Sequence, residues 1–244
     1  MRLPWLDGRS LTMRLSVRVA VAVAVVGLAF AAAWLLRPMP RPDPMMTPAG
    51  AATEEAPTEG VSLDGAALRG SRQAPLAVVV FSDFQCPFCK HFADTAFREL
   101  DSDYIADGKV LFAFRHLPLS HHTHALAAAS AASCAGRQGK FWEMHDRLFA
   151  NPKRLETEPW RTYAADLDLN RAEFDSCLDN EGSETVRTDL ALAEALEITG
   201  TPSFLFGKVG RDGRVRVSSR LAGALPIGSF KRIIDPLLAN RPAS

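Results

Sequence analysis

Apolar and polar positions follow different rhythms along this chain, and each rhythm predicts a different element. Val19 to Leu36 carries no charge; at helical rise that is about 27 Å, close to the hydrocarbon core of a bilayer. Leu76 to Phe81, "LAVVVF", is a short unbroken apolar run entered through Ala74-Pro75 and left through Ser82-Asp83. It predicts a strand buried on both faces. From Cys86 to about Ile105 the period becomes four, so that Phe88, Phe92, Ala96 and Leu100 would share one face of a helix that Gly108 stops. "KVLFAFRHL", Lys109 to Leu117, alternates well enough for a second strand.

Ser120 to Glu197 holds no convincing strand. "ALAAASAASCAG" and "KFWEMHDRLF" predict helices separated at Gly136 and Gly139. "EPWRTYAADLDL" and "NRAEFDSCLD" predict two more, the second opened by Asn170 as an N-cap. A longer helix follows from about Ser183 to Glu197. "ITGTPSFLFG" then predicts a turn and strand, "GRDG" a hairpin turn, and "RVRVS" the return strand. "GSFKRIIDPLLA" closes the chain as a helix with Ile233, Leu237 and Leu238 on one face and Pro236 inside the pattern. Strand, helix, strand implies a parallel pair. The hairpin adds antiparallel strands, and the helical block, about 120–182, reads as an insertion.

Charge changes the picture at the N-terminus. Residues 1–41 hold six of the 28 basic residues and one of the 28 acidic ones, so the remainder is mildly acidic and has no electrostatic footprint for nucleic acid. Arginines precede the apolar run, which predicts a cytoplasmic segment 1–18 followed by a membrane span 19–36, with Trp34 near the outer interface. Ala31, Ala32 and Ala33 offer a cleavage site for a signal peptide, but the run continues through Trp34-Leu35-Leu36, which favours an uncleaved anchor. Residues 37–60 are rich in Pro, Ala, Thr and Glu and predict an extended tether. The domain 61–244 is therefore expected outside the cytoplasmic membrane, where thiols tend to be oxidised.

Two of the four cysteines lie in "SDFQCPFCKHF", two residues apart between the strand and the helix. A structural zinc site needs four ligands, usually as two close pairs. Cys134 and Cys177 stand alone, and His116, His121, His122 and His124 have no matched spacing to the pair. No metal or other cofactor is expected, and the histidines read as a polar surface or hydrogen-bonded core. Redox chemistry fits better. At a helix start the Cys86 sulfur would face unpaired N–H groups and the positive end of the helix, which stabilises a thiolate. Pro87 suits the first turn, and Cys89, one turn on, can attack a mixed disulfide at Cys86. Glu143, His145 and Asp146 imitate an acid–base cluster, but a solvated or capping role is expected because no nucleophile stands beside them.

"FSDFQCPFCKHF", "RHLPLSHHTHALAAASAASCAGRQGKFWEMHDRLF" and "ITGTPSF" together resemble the DsbA-like branch of the thioredoxin-fold oxidoreductases, over roughly Val61 to Leu238. The resemblance implies an α/β thioredoxin fold with an inserted helical domain. It implies that Cys86 is the exposed nucleophile and Cys89 the buried resolving cysteine, with Pro87 and Phe88 between them. It also implies a cis Pro202 facing the pair, with the Thr201 backbone turned toward a substrate strand; by itself Thr201-Pro202 would be an ordinary turn. An even cysteine count in an oxidising compartment favours a structural disulfide between Cys134 and Cys177 over two buried thiols, and some DsbA-like proteins carry a second bridge.

The expected protein is thus a membrane-anchored, periplasm-facing thiol:disulfide oxidoreductase, a monomer. It would oxidise cysteine-containing exported proteins and be reset by a membrane redox partner. A reductase or isomerase, and a thioredoxin-fold chaperone or adaptor, are the alternatives. One departure stands out: many relatives carry a glutamate where this chain has Val80, and Asp83, the nearest carboxylate, is expected to serve the loop instead.

Overall fold

A computed structural model of the chain describes residues 60–180 and 182–239. Residues 1–18, 19–36 and most of 37–60, with the expected anchor and tether, lie outside the described residues. Among those described, no helix is long and apolar enough to cross a membrane.

Six strands form one mixed sheet: β1 (Val61–Ser62), β2 (Ala67–Arg69), β3 (Leu76–Ser82), β4 (Val110–His116), β5 (Ser203–Val209) and β6 (Arg214–Ala222), in the order β1-β6-β5-β3-β4-β2. β3 and β4 run parallel from Leu76 opposite Val110 to Ser82 opposite His116. β3 also pairs antiparallel with β5, which forms the hairpin with β6. Both centre strands are buried along their whole length: β3 as its unbroken apolar run demands, and β4, expected to alternate, with even Arg115 and His116 enclosed. Gly207 lies at an irregularity of the β5–β6 ladder, and any Cβ there would meet the Arg216 carbonyl of the neighbouring strand.

The sheet separates two cores. Leu76, Val78, Val80, Phe112, Phe114, Phe204 and Phe206 pack with the helices on one face. Ala77, Val79, Phe81, Leu111, Ala113 and Leu205 pack with Ala193, Leu196 and Ile198 on the other.

The helix expected from Cys86 to Ile105 is broken. It consists of α1 (Pro87–Asp94), α2 (Ala96–Leu100) and a π turn over Asp101–Ile105. The break lies at Thr95, whose hydroxyl donates 2.6 Å back to the His91 carbonyl, a bond that bends helices. The shared face is also interrupted. Phe92, Ala96 and Leu100 are buried, whereas Phe88 is 64% exposed.

The inserted helices are α3 (Ala125–Arg137), α4 (Phe141–Ala150), α5 (Trp160–Asp166) and α6 (Arg171–Asn180), with a 3-10 turn over Pro152–Thr157; α7 (Gly182–Ala195) leads back to the sheet. Asn170 caps α6 as expected. Its Oδ1 accepts from the Glu173 N–H while Glu173 Oε1 accepts from its side-chain amide. The expected solvated or capping role is wrong for His145, which is buried among Phe84, Phe97, Phe114, Trp142 and Phe149. Burial lowers its pKa, with Asp146 at its rim opposing that. The closing helix, α8 (Ile227–Ala239), contains Pro236 and buries Phe230 and Ile234 most deeply, with Ile233, Leu237 and Leu238 flanking them.

Candidate active site

The site is built where the buried strand β3 gives way to α1. Ser82 ends the strand, a turn over 83–85 follows, and Cys86 takes an extended conformation as the N-cap of α1, with Pro87 at the first helical position. No side chain caps this helix start, so its first N–H groups are left to the cysteine sulfur.

The two thiols occupy different surroundings although one helical turn separates them. Both are free. The Cys86 thiol is lowered from 9.0 to about 5. The hydrogen bond from Cys89 is the largest cause, the Thr201 hydroxyl and the Cys89 and Phe88 N–H groups add to it, and burial opposes it. The Thr201 hydroxyl is buried and has no other partner. Cys89 moves the other way, because burial and the neighbouring Cys86 raise it far above an ordinary thiol. The Ser82 side chain and the Asp83 N–H, 3.4 Å from Cys89 Sγ, oppose that rise.

The resemblance implied an exposed Cys86. Its residue is only 4% exposed, with the Thr201 carbonyl against its sulfur. The Thr201-Pro202 peptide is cis, and the Cys86 thiol donates 3.5 Å to the Thr201 carbonyl. The structure therefore brings Cys86, Cys89, Thr201 and Pro202 together, with Pro87 and Phe88 on the first turn of α1.

Cys134 and Cys177 are placed elsewhere, in α3 and α6, where they form a disulfide with Cα atoms 5.7 Å apart. Gly182 sits against it, with room for a Cβ only 3.0 Å from Cys134 Sγ. Clefts of about 320 and 490 Å3 flank this bridge, and neither is lined by Cys86, Cys89 or Pro202.

One part of the site had no distinct signal in the sequence. Asp83 is buried, and its carboxylate accepts from the Gln85 N–H at 2.7 Å, the Leu119 N–H at 2.8 Å and His122 Nδ1 at 2.7 Å. Gln85 Oε1 accepts from the His124 N–H at 2.8 Å. Asp83 does serve the loop, but the loop it ties down includes residues 119–122, more than thirty positions away. Among the described residues no group of side chains has the arrangement of a metal site.

The family described as thioredoxin matches residues 63–219. Among curated proteins the chain is 37% identical over 168 residues to "Na(+)/H(+) antiporter NhaA 3" of Salinispora tropica, covering 68% of this chain and 25% of that protein. It is 41% identical over 139 residues to "Na(+)/H(+) antiporter NhaA 1" of Salinispora arenicola, covering 56% and 21%. The chain thus spans a quarter or less of the length of these relatives. Among solved structures, Wolbachia pipientis α-DsbA1 superposes with a TM-score of 0.64 at 24% identity, over 73% of this chain and 94% of that one. Oxidised BdbD of Bacillus subtilis gives 0.61 at 24% identity, over 74% and 97%. At that identity the likeness is one of fold.

Proposed function

The chain belongs to the thioredoxin family and has the DsbA-like form of its fold, and from that premise we propose that it oxidises dithiols of exported proteins through a mixed disulfide at Cys86. The observation that carries this reading is the asymmetry of the pair, with Cys86 held near 5 and Cys89 held high.

The chemistry follows from that asymmetry. In the oxidised protein a substrate thiolate attacks Cys86 Sγ, the bond to Cys89 breaks, and Cys89 leaves with the electron pair and takes up a proton. The substrate's second thiolate then attacks the substrate sulfur of the mixed disulfide. Cys86 departs as a stable thiolate, and the substrate keeps the disulfide. In the opposite direction Cys89 attacks Cys86 Sγ and frees a trapped partner. The Thr201 carbonyl beside the cis Pro202 supplies an acceptor for an extended substrate segment, and exposed Phe88 offers it an apolar contact.

Linkage supports the oxidising direction. Cys86 has a folded pKa below its ordinary value, so its thiolate stabilises the folded, reduced protein. That contribution is fully present above about pH 9 and is lost as pH falls through about 5. Near neutral pH about half of it remains, which still favours the reduced pair, so the disulfide is readily passed on.

We extend the proposal to location. The uncharged run 19–36 behind its arginines supports a single-pass anchor with the domain on the periplasmic side. The relatives named antiporters, which by that name work across a membrane, support a membrane setting.

Two measurements test the reading. Iodoacetamide alkylation of the reduced protein across a pH series should give a Cys86 midpoint near 5 and leave Cys89 unmodified. Equilibration with glutathione should place the pair as the stronger oxidant. A potential more reducing than glutathione would make the protein a reductase instead. Carbonate extraction of membranes checks the anchor, and a soluble form beginning near Trp34 would sink it.

A further inference from the structure

The loop 117–124 is stitched to the cysteine turn at several points. The Leu117 N–H donates to the Ser82 carbonyl at 2.8 Å, the Leu119 N–H and His122 Nδ1 reach the Asp83 carboxylate, and the His124 N–H reaches Gln85. At the centre of this seam lies an ion-pairing arrangement of unequal exposure. The Asp83 side chain is 0% exposed and the His122 side chain 15%. The carboxylate is sealed in, while the imidazole that faces it still reaches solvent. On the opposite side of the same residue, the Asp83 N–H donates to Cys89 Sγ.

Asp83 touches the pair through its N–H on Cys89 Sγ, and a buried carboxylate on that residue is unfavourable next to a forming thiolate unless it is balanced. A neutral His122 can still donate its Nδ1–H to Asp83, but the turn then carries a net negative charge. A protonated His122 keeps the same hydrogen bond and cancels that charge. Among the described contacts, the ionisable groups facing the His122 ring are Asp83 from the turn and His121 from its own loop, with ring centroids 4.2 Å apart. Cys89 of α1 lies just behind Asp83.

From this geometry we infer that His122 is a charge-balancing positioning residue for the cysteine pair, acting through Asp83 to make thiolate formation at the pair depend on the charge of the imidazole. The inference rests on the exchange reading above and adds its regulation. The chemistry involved is one proton gained or lost by the imidazole, with no bond to sulfur formed or broken by it. A positive imidazole neutralises the turn and favours the thiolate; a neutral one leaves the carboxylate unbalanced.

The test is a charge cycle in the reduced protein, read by the alkylation midpoint of Cys86 and by the reduction potential in glutathione buffers. His122→Gln should raise the midpoint by about 0.5–1 pH unit and make the pair less oxidising. Asp83→Asn should lower the midpoint. The double variant His122→Gln/Asp83→Asn should return close to the wild type, because both charges are gone. His122→Lys, which keeps a positive charge, should hold the wild-type midpoint. A purely structural seam predicts the reverse for the double variant, the largest displacement of all, and that result overturns the inference. So does a wild-type midpoint in His122→Gln. A wild-type protein whose cysteines titrate but never equilibrate with glutathione sinks the exchange reading, and the alkylation cycle still decides the charge balance.

Discussion

The two cysteine pairs use the same atoms and end in opposite states. Cys86 and Cys89 are separated by one helical turn and are free thiols with one sulfur held low and the other high. Cys134 and Cys177 are separated by 43 positions and are joined, on two packed helices of the insertion with Gly182 closing over them. Both pairs are almost fully buried, so exposure does not distinguish them. The difference lies in the donors around each sulfur. The first pair sits at an uncapped helix start with N–H groups and a threonine hydroxyl directed at it, which favours a thiolate that can leave. The second is set well inside α3 and α6, away from such a helix start, and it closes a long loop, which favours a bond that stays.

The comparison can be broken most severely at Cys86. Cys86→Ser should abolish exchange, a loss of at least about a thousandfold in insulin reduction or peptide oxidation, since no other sulfur in the site has a lowered pKa. Full activity in this variant would mean that the bridged pair is the working one. Cys134→Ala probes the other side. It should cost about 2–4 kcal/mol of stability in denaturant melts through a looser unfolded chain, and leave Cys86 alkylation unchanged. A changed Cys86 midpoint would show that the two pairs are coupled.

The smallest effect sharpens the asymmetry within the first pair. Val80 is buried on the same face of β3 as the core that includes Cys89, and it cannot accept a proton. Val80→Glu should speed release of a peptide trapped on Cys86 near neutral pH by several-fold, less than the roughly hundredfold or more of a fully positioned base because the acid is newly introduced. A fold that tolerates the buried acid without faster release would show that proton removal from Cys89 is not limiting.

Much of the site and of the central sheet was legible because local signals agreed with the final packing. The valine run of β3, the hairpin at Gly210–Gly213, the Asn170 cap and the cysteine spacing each follow from short-range rules. The misses have tertiary causes. β1 and β2 are two and three residues long and exist through pairing with β6 and β4. Period alone gave no warning that the Thr95 hydroxyl would break the helix after α1. Phe88 fits the period of its helix yet faces outward, because it stands on the turn between the cysteines where the helix leaves the core. His145 counts as polar in any pattern, but the rings around it pack against the imidazole while its Nδ1 keeps Asp146 as a partner at 2.8 Å. The Asp83–His122 contact spans 39 positions, and no local pattern encodes a pairing at that distance.

β1 has a mechanical consequence. Any pull on the chain before Gly60 enters the fold through this strand, which is held by two residue pairs to β6, by the Arg214 guanidinium on the Gly60 carbonyl and by the Arg115 guanidinium on the Ser62 carbonyl. Arg115 is anchored in turn to buried Asp189, which also accepts from the His116 N–H. Under load the short strand would peel from the sheet edge first, as a weak link in series with the rest. The Arg115–Asp189 clasp would keep β4 seated against α7, so a pull arriving at Gly60 would be spent at the rim while the cysteine turn, on the far side of β5, stayed in register.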